Sequence, residues 1–63
     1  LMGKDKERYI IEIRYLDGNE DKPDFYYDEE IDIYTDDIDW SMEQYKRNRP
    51  PLDWKIKYHY TGV

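Results

Sequence analysis

The sequence predicts a small α+β domain of order ββαβ, with a three-stranded antiparallel sheet and one helix packed on one face. Three observations carry this. Residues 8–16 and 52–60 alternate apolar and polar side chains with the period of a strand. Residues 24–34 alternate in the same way between them. Residues 35–49 instead repeat apolar side chains at helical spacing, with acids in front and cations followed by Pro50-Pro51 behind.

Taken in order, Leu1-Met2-Gly3 reads as a cloning remnant, and residues 1–7 as a polar, flexible lead-in to one domain at 8–61. On the first strand, Tyr9, Ile11, Ile13 and Tyr15 share one face, while Arg8, Ile10, Glu12, Arg14 and Leu16 share the other. Asp17-Gly18-Asn19 is a turn signal, lengthened by Glu20-Asp21-Lys22-Pro23. The returning strand places Phe25, Tyr27, Ile31 and Ile33 on one face, interrupted by Glu29. Asp24, Tyr26, Asp28, Glu30, Asp32 and Tyr34 lie on its other face. A bulge near residues 28–30 is expected, because it would release Glu29 from the core side.

For the helix, Thr35 or Asp36 is expected to supply the N-cap oxygen. Asp36, Asp37 and Asp39 favour the positive end of its dipole, and Lys46, Arg47 and Arg49 the negative end. Pro50-Pro51 stops it. Ile38, Ser41, Met42 and Tyr45 form a stripe that should face the sheet. Trp40 then lies on the opposite side, beside Gln44 and Arg47, at roughly 160–200° from Ile38 for a rotation of about 100° per residue. A competing rotation turns Trp40, Ser41, Gln44, Tyr45 and Asn48 inward, since large aromatics are mostly buried. In the last strand, Leu52, Trp54, Ile56, Tyr58 and Tyr60 should point in, and Asp53, Lys55, Lys57 and His59 out. Short connections and a right-handed crossover put the first strand in the middle, giving order 2-1-3. The expected core is Tyr9, Ile11, Ile13, Phe25, Ile31, Ile33, Met42, Tyr45, Trp54 and Ile56.

Composition narrows the function. Sixteen acidic against ten basic residues give a net charge of −6. That argues against nucleic acid or an anionic membrane as direct partner, and favours a protein partner that is basic or binds nucleic acid. The chain has no cysteine, which removes disulfides and cysteine metal sites and suits a reducing cytoplasm. No apolar run is long enough to span a bilayer. With 63 residues the core is thin, so a homo-oligomer that completes it is an alternative.

Catalytic chemistry finds little to work with. His59 is the single histidine and Ser41 the single serine, with no spacing that would join them. Asp17-x-Asn19-x-Asp21 resembles the start of a calcium loop, but Lys22 stands where the loop needs glycine. No glycine-rich phosphate loop is present. The expectation is a non-enzymatic protein with no cofactor and no metal.

The stretch from Asp36 to Tyr45, with its acidic pair, Ile38, Trp40, Ser41 and Gln44-Tyr45, resembles the helix of the Dmd-type antitoxins of T-even phages. Glu30-Ile31 precedes it at the matching distance. The likeness covers about twenty residues and does not extend to the hairpin, to Pro50-Pro51 or to the Trp54 strand. It implies a phage-type inhibitor that binds and blocks a bacterial defence protein such as a toxin RNase, with Trp40 and Gln44 as candidate contacts.

Two further readings stand beside it. Asp24, Asp28, Glu30 and Asp32 recur along the strand at about 6.5–7 Å, a spacing that a DNA mimic can use to occupy the nucleic-acid groove of a restriction, CRISPR or repair enzyme. The same acids also serve to keep a sheet edge from pairing. A small structural or regulatory subunit that oligomerises is the third reading. For the inhibitor, the expected partner-binding set is Trp40 at the centre with Gln44, Asp32, Tyr34, Asp36, Asp39, Tyr26 and Asp28.

Overall fold

A computed structural model describes residues 6–24 and 26–61. It contains β1 (Glu7–Tyr15), β2 (Glu29–Thr35), α1 (Ile38–Lys46) and β3 (Leu52–Tyr60). The strands form one antiparallel sheet in the order β2-β1-β3, with β1 in the middle, as the alternation and connection lengths predict. Most of the 1–7 lead-in and Phe25, placed in the core from sequence, lie outside the described residues, and Glu7 already pairs with Thr35.

The core lies between the sheet and the helix. Tyr9, Ile11 and Ile13 present the inner face of β1 to Met42, with Leu52 closing the cluster from β3. Ile11, Ile13 and Met42 are fully buried. Tyr15, Ile31, Ile33, Ile38, Tyr45 and Trp54 pack around them. Ile56, expected inside, is 43% exposed, because the nine-residue helix does not reach over that part of β3.

The helix is shorter than the pattern suggested, and Asp37 caps it rather than Thr35 or Asp36. Asp37 Oδ1 accepts from the Trp40 amide at 3.1 Å. Thr35, buried at the end of β2, sets up this cap. Its Oγ1 accepts from the Asp37 amide at 3.0 Å and from the Ser41 hydroxyl at 2.7 Å. At the other end Asn48 takes a φ of 60°, in the left-handed region that short amide side chains tolerate, and so turns the chain towards Pro50-Pro51.

Three local expectations are corrected. First, β2 starts at Glu29, not at residue 24. The Asp28 side chain accepts from the Tyr15 amide at 3.0 Å and from Asn19 Nδ2 at 2.8 Å, so it closes the loop instead of joining a strand face. Second, Glu29 is not released by a bulge. It stays on the core face opposite Ile13, where its carboxylate accepts from the Tyr45 hydroxyl at 2.8 Å and the Tyr15 hydroxyl at 3.2 Å. Two phenol donors meet the requirement that a half-buried carboxylate be hydrogen-bonded.

Third, the irregularity is in β3. Ile10 pairs with Tyr58 but Ile11 pairs with Ile56, leaving Lys57 as an extra residue. That residue reverses the alternation beyond it. Tyr58 and Tyr60, expected inside, share the outer face with Ile10 and Arg8. His59, expected outside, comes to the inner face and stacks on Tyr9 with ring centroids 4.2 Å apart.

Replacing Ile13 with alanine should cost about 2–5 kcal/mol, most of the stability of a domain this small. Urea unfolding checks it; an unchanged midpoint would contradict the placement of this face. Burial, followed by the bond to Glu29 and its charge, pushes the Tyr45 phenol from 10.0 up to about 12. Its folded pKa is raised, so its contribution is present below pH 10 and lost as pH climbs towards 12. Tyrosinate absorbance should therefore show a late-ionising tyrosine that vanishes in Tyr45→Phe.

Candidate functional site

With Ile38, Met42 and Tyr45 turned to the sheet, no described residue packs over the opposite side of α1 at Trp40. Trp40 is 61% exposed there, the largest exposure among the big hydrophobic side chains of the described residues. The rotated-helix alternative does not occur, because Met42 rather than Trp40 fills the space over Ile11 and Ile13. Gln44, one helical turn on, is half-buried, and Asp36 and Asp39 are exposed carboxylates at the helix start. Neither Asp36 nor Asp39 forms an ion pair with a described residue. The result is an exposed apolar side chain near the positive end of a short helix whose start carries two exposed carboxylates.

The other predicted contacts are placed elsewhere. Asp32 and Tyr34 stand opposite Ile10 and Arg8, on the sheet face away from the helix. Tyr26 lies in the 16–28 loop with Lys22 Nζ 4.7 Å from its ring centre, and Asp28 is occupied by Tyr15 and Asn19. Trp40, Gln44, Asp36 and Asp39 therefore form one patch. Asp32 and Tyr34 belong to a second face and Tyr26 and Asp28 to a loop.

That second face is largely self-neutralised. Arg8 grips Asp32 with Nε at 3.0 Å and Nη2 at 2.7 Å, a two-nitrogen fork that holds the carboxyl below its ordinary range and raises the guanidinium. Lys57 Nζ reaches Glu30 at 3.0 Å, and the bond raises the ammonium pKa. Glu12 faces Lys55. The strand acids read from sequence as a free row are thus paired across the sheet, and Asp24 and Asp28 are not on a strand at all.

The catalytic candidates are also engaged. Ser41 donates to Thr35, and His59 Nε2 lies 2.5 Å from Glu7 Oε1. Among the described residues no group of three or more histidine, cysteine, aspartate or glutamate side chains is arranged to hold a metal ion. No described helix is long and apolar enough to cross a membrane.

Comparison with protein-family models, curated proteins and solved structures finds no match. The helix resemblance thus rests on its own residues. One grouping was missed in sequence: Glu12, Leu16 and Tyr27 join Tyr26, already a candidate contact, around an open pocket of about 590 Å³ between the outer sheet face and the 16–28 loop. The signal would have been Arg14, an arginine facing a polar loop, which donates to the carbonyls of Asn19, Lys22 and Pro23 and folds that loop back over the sheet.

If Trp40 has no role in the core, Trp40→Ala should change stability by no more than about 0.5 kcal/mol. Thermal unfolding checks this; a loss comparable to that of a core truncation would return the indole to the core.

Proposed function

We propose that the protein is a non-enzymatic inhibitor that docks on a basic surface of a partner protein through the Trp40 patch. The observation that carries this reading is the exposed indole among acids that no described cation neutralises. Burying an indole releases a large apolar area from water, and tryptophan is enriched at the energetic centres of interfaces. The surrounding carboxylates steer a basic partner and exclude acidic ones.

The helix resemblance to Dmd-type antitoxins supports a bacterial defence protein, such as a toxin RNase, as the target. An RNase fits the chemistry, since a protein that holds RNA presents cations. Such a target implies the cytoplasm of the bacterial host. The DNA-mimic reading has less support, because Arg8 and Lys57 cancel much of the row it requires.

A tagged form of the protein, used to capture partners from a bacterial lysate at low and moderate salt, tests the proposal when Trp40→Ala is run beside it. The captured protein should lose affinity about thirtyfold with Trp40→Ala, near 2 kcal/mol. Binding of the unaltered protein should survive moderate salt. A partner held equally well by Trp40→Ala, and released by salt alone, would overturn the reading.

A further inference from the structure

The pocket beside the 16–28 loop lies on the sheet face away from the Trp40 patch, and nothing in the proposed function uses it. Its floor is Glu12, on the outer face of the central strand opposite Glu30 and Lys55. Tyr26, Tyr27 and Leu16 rise beside it, and Asp24 and Asp53 stand at the rim. Glu12 is only 9% exposed, an unusual position for a carboxylate. Its ion-pair partner is Lys55, whose Nζ stands 3.4 Å away on a side chain 62% exposed to water. A charge-assisted bond between such groups closes to about 2.7–2.9 Å, so Lys55 approaches Glu12 without gripping it. A mostly buried carboxylate whose cation is loosely held and solvated keeps acceptor capacity towards the pocket it lines.

The chain itself indicates what fits. On the same sheet face, Arg8 forks onto Asp32 while its guanidinium lies 5.3 Å from the centre of the Tyr60 ring. The pocket offers the same pair of partners, a carboxylate and tyrosine rings, at Glu12, Tyr26 and Tyr27, and the rings already draw cations, with Lys22 Nζ 4.7 Å from the centre of Tyr26 and Lys57 Nζ 5.9 Å from that of Tyr27. The arginine that borders it, Arg14, is spent on loop carbonyls. A guanidinium is planar, stacks on aromatic rings and carries five donors, so it can serve Glu12 and a rim carboxylate together. An ammonium lies over such rings too, but it has neither the planar fork nor the flat face that stacks. The volume, about 590 Å³, lies within the range of small-ligand sites and admits an arginine side chain with its flanking backbone.

We propose that this pocket receives the guanidinium of an arginine presented by a partner, with Glu12 as counter-ion, the tyrosine rings as walls and Lys55 displaced to solvent. The inference does not depend on the Trp40 reading. It can fail alone, since the two sites lie on different faces and the test needs no lysate partner.

The test is a titration of the isotope-labelled protein with N-acetyl-arginine methylamide, followed by amide chemical shifts. Saturable shifts are expected at Glu12, Leu16, Tyr26 and Tyr27 but not around Trp40. The citrulline analogue, of the same shape without the charge, should produce no saturable shift, and the lysine analogue should bind several-fold more weakly. Glu12→Gln should abolish binding. Because that variant could fail to fold, Lys55→Ala is the companion: it removes only an exposed competitor and should tighten binding several-fold. Absence of saturable shifts, equal shifts with the citrulline or lysine analogue, or a Lys55→Ala variant that binds no better would each overturn the proposal.

Discussion

Met42 is the contact on which the rest of the molecule depends. It is the fully buried side chain of the helix, and it meets Ile11 and Ile13, the fully buried pair of the central strand. A sheet of three strands has two faces, and the described residues supply one short helix to cover them. Placing Met42 over β1 therefore decides at once which face becomes the core, which side of the helix faces water and which strand residues must manage without a second layer. The capping network of Thr35, Asp37 and Ser41 holds the helix start in register with the end of β2, so that Met42 arrives where the two isoleucines are.

Everything outside that contact is solved by polar chemistry. The outer sheet face carries charges that close on one another, with Arg8 tying the central strand to Asp32 of β2 and Lys57 tying β3 to Glu30 of β2 across the centre. Exposed ion pairs of this kind add little stability, and their effect is mainly to keep an uncovered face soluble. The inner face has its own polar seam, in which Glu29 accepts from two tyrosines and His59 stacks on Tyr9. Against this background two places among the described residues stand out as open: the exposed indole of Trp40, and the Glu12 pocket. They lie on different faces, and each presents negative charge beside aromatic surface.

The fold was legible where a side chain's role follows from its period. β1 alternates apart from Ile10 on its outer face, its inner face is the core, and the strand order follows from connection lengths, whereas the helix pattern alone left two rotations open and with them the exposure of Trp40. Legibility ended where one residue's placement depends on a distant one. The chain from Lys55 to Tyr60 alternates without a break, so nothing local marks Lys57 as the extra residue that inverts Tyr58, His59 and Tyr60. The stacking of His59 on Tyr9 that the inversion permits joins residues far apart in the chain. Likewise residues 24–28 carry a strand's alternation, yet Asp28 is drawn off by Tyr15 and Asn19. The patch was half legible for the same reason: Trp40, Gln44, Asp36 and Asp39 share a helix, whereas Asp32 and Tyr34 were assigned by sequence nearness and fall on the opposite face.

The central claim is that Met42 occupies the core so fully that Trp40 stands in water. The fluorescence of a Trp54→Phe variant, which leaves Trp40 as the only indole, tests it most directly. Its emission in the folded protein should match that of indole in water, be quenched by iodide as readily as free tryptophan, and barely move on unfolding. Blue-shifted emission that iodide does not reach and that turns red on unfolding would contradict the account.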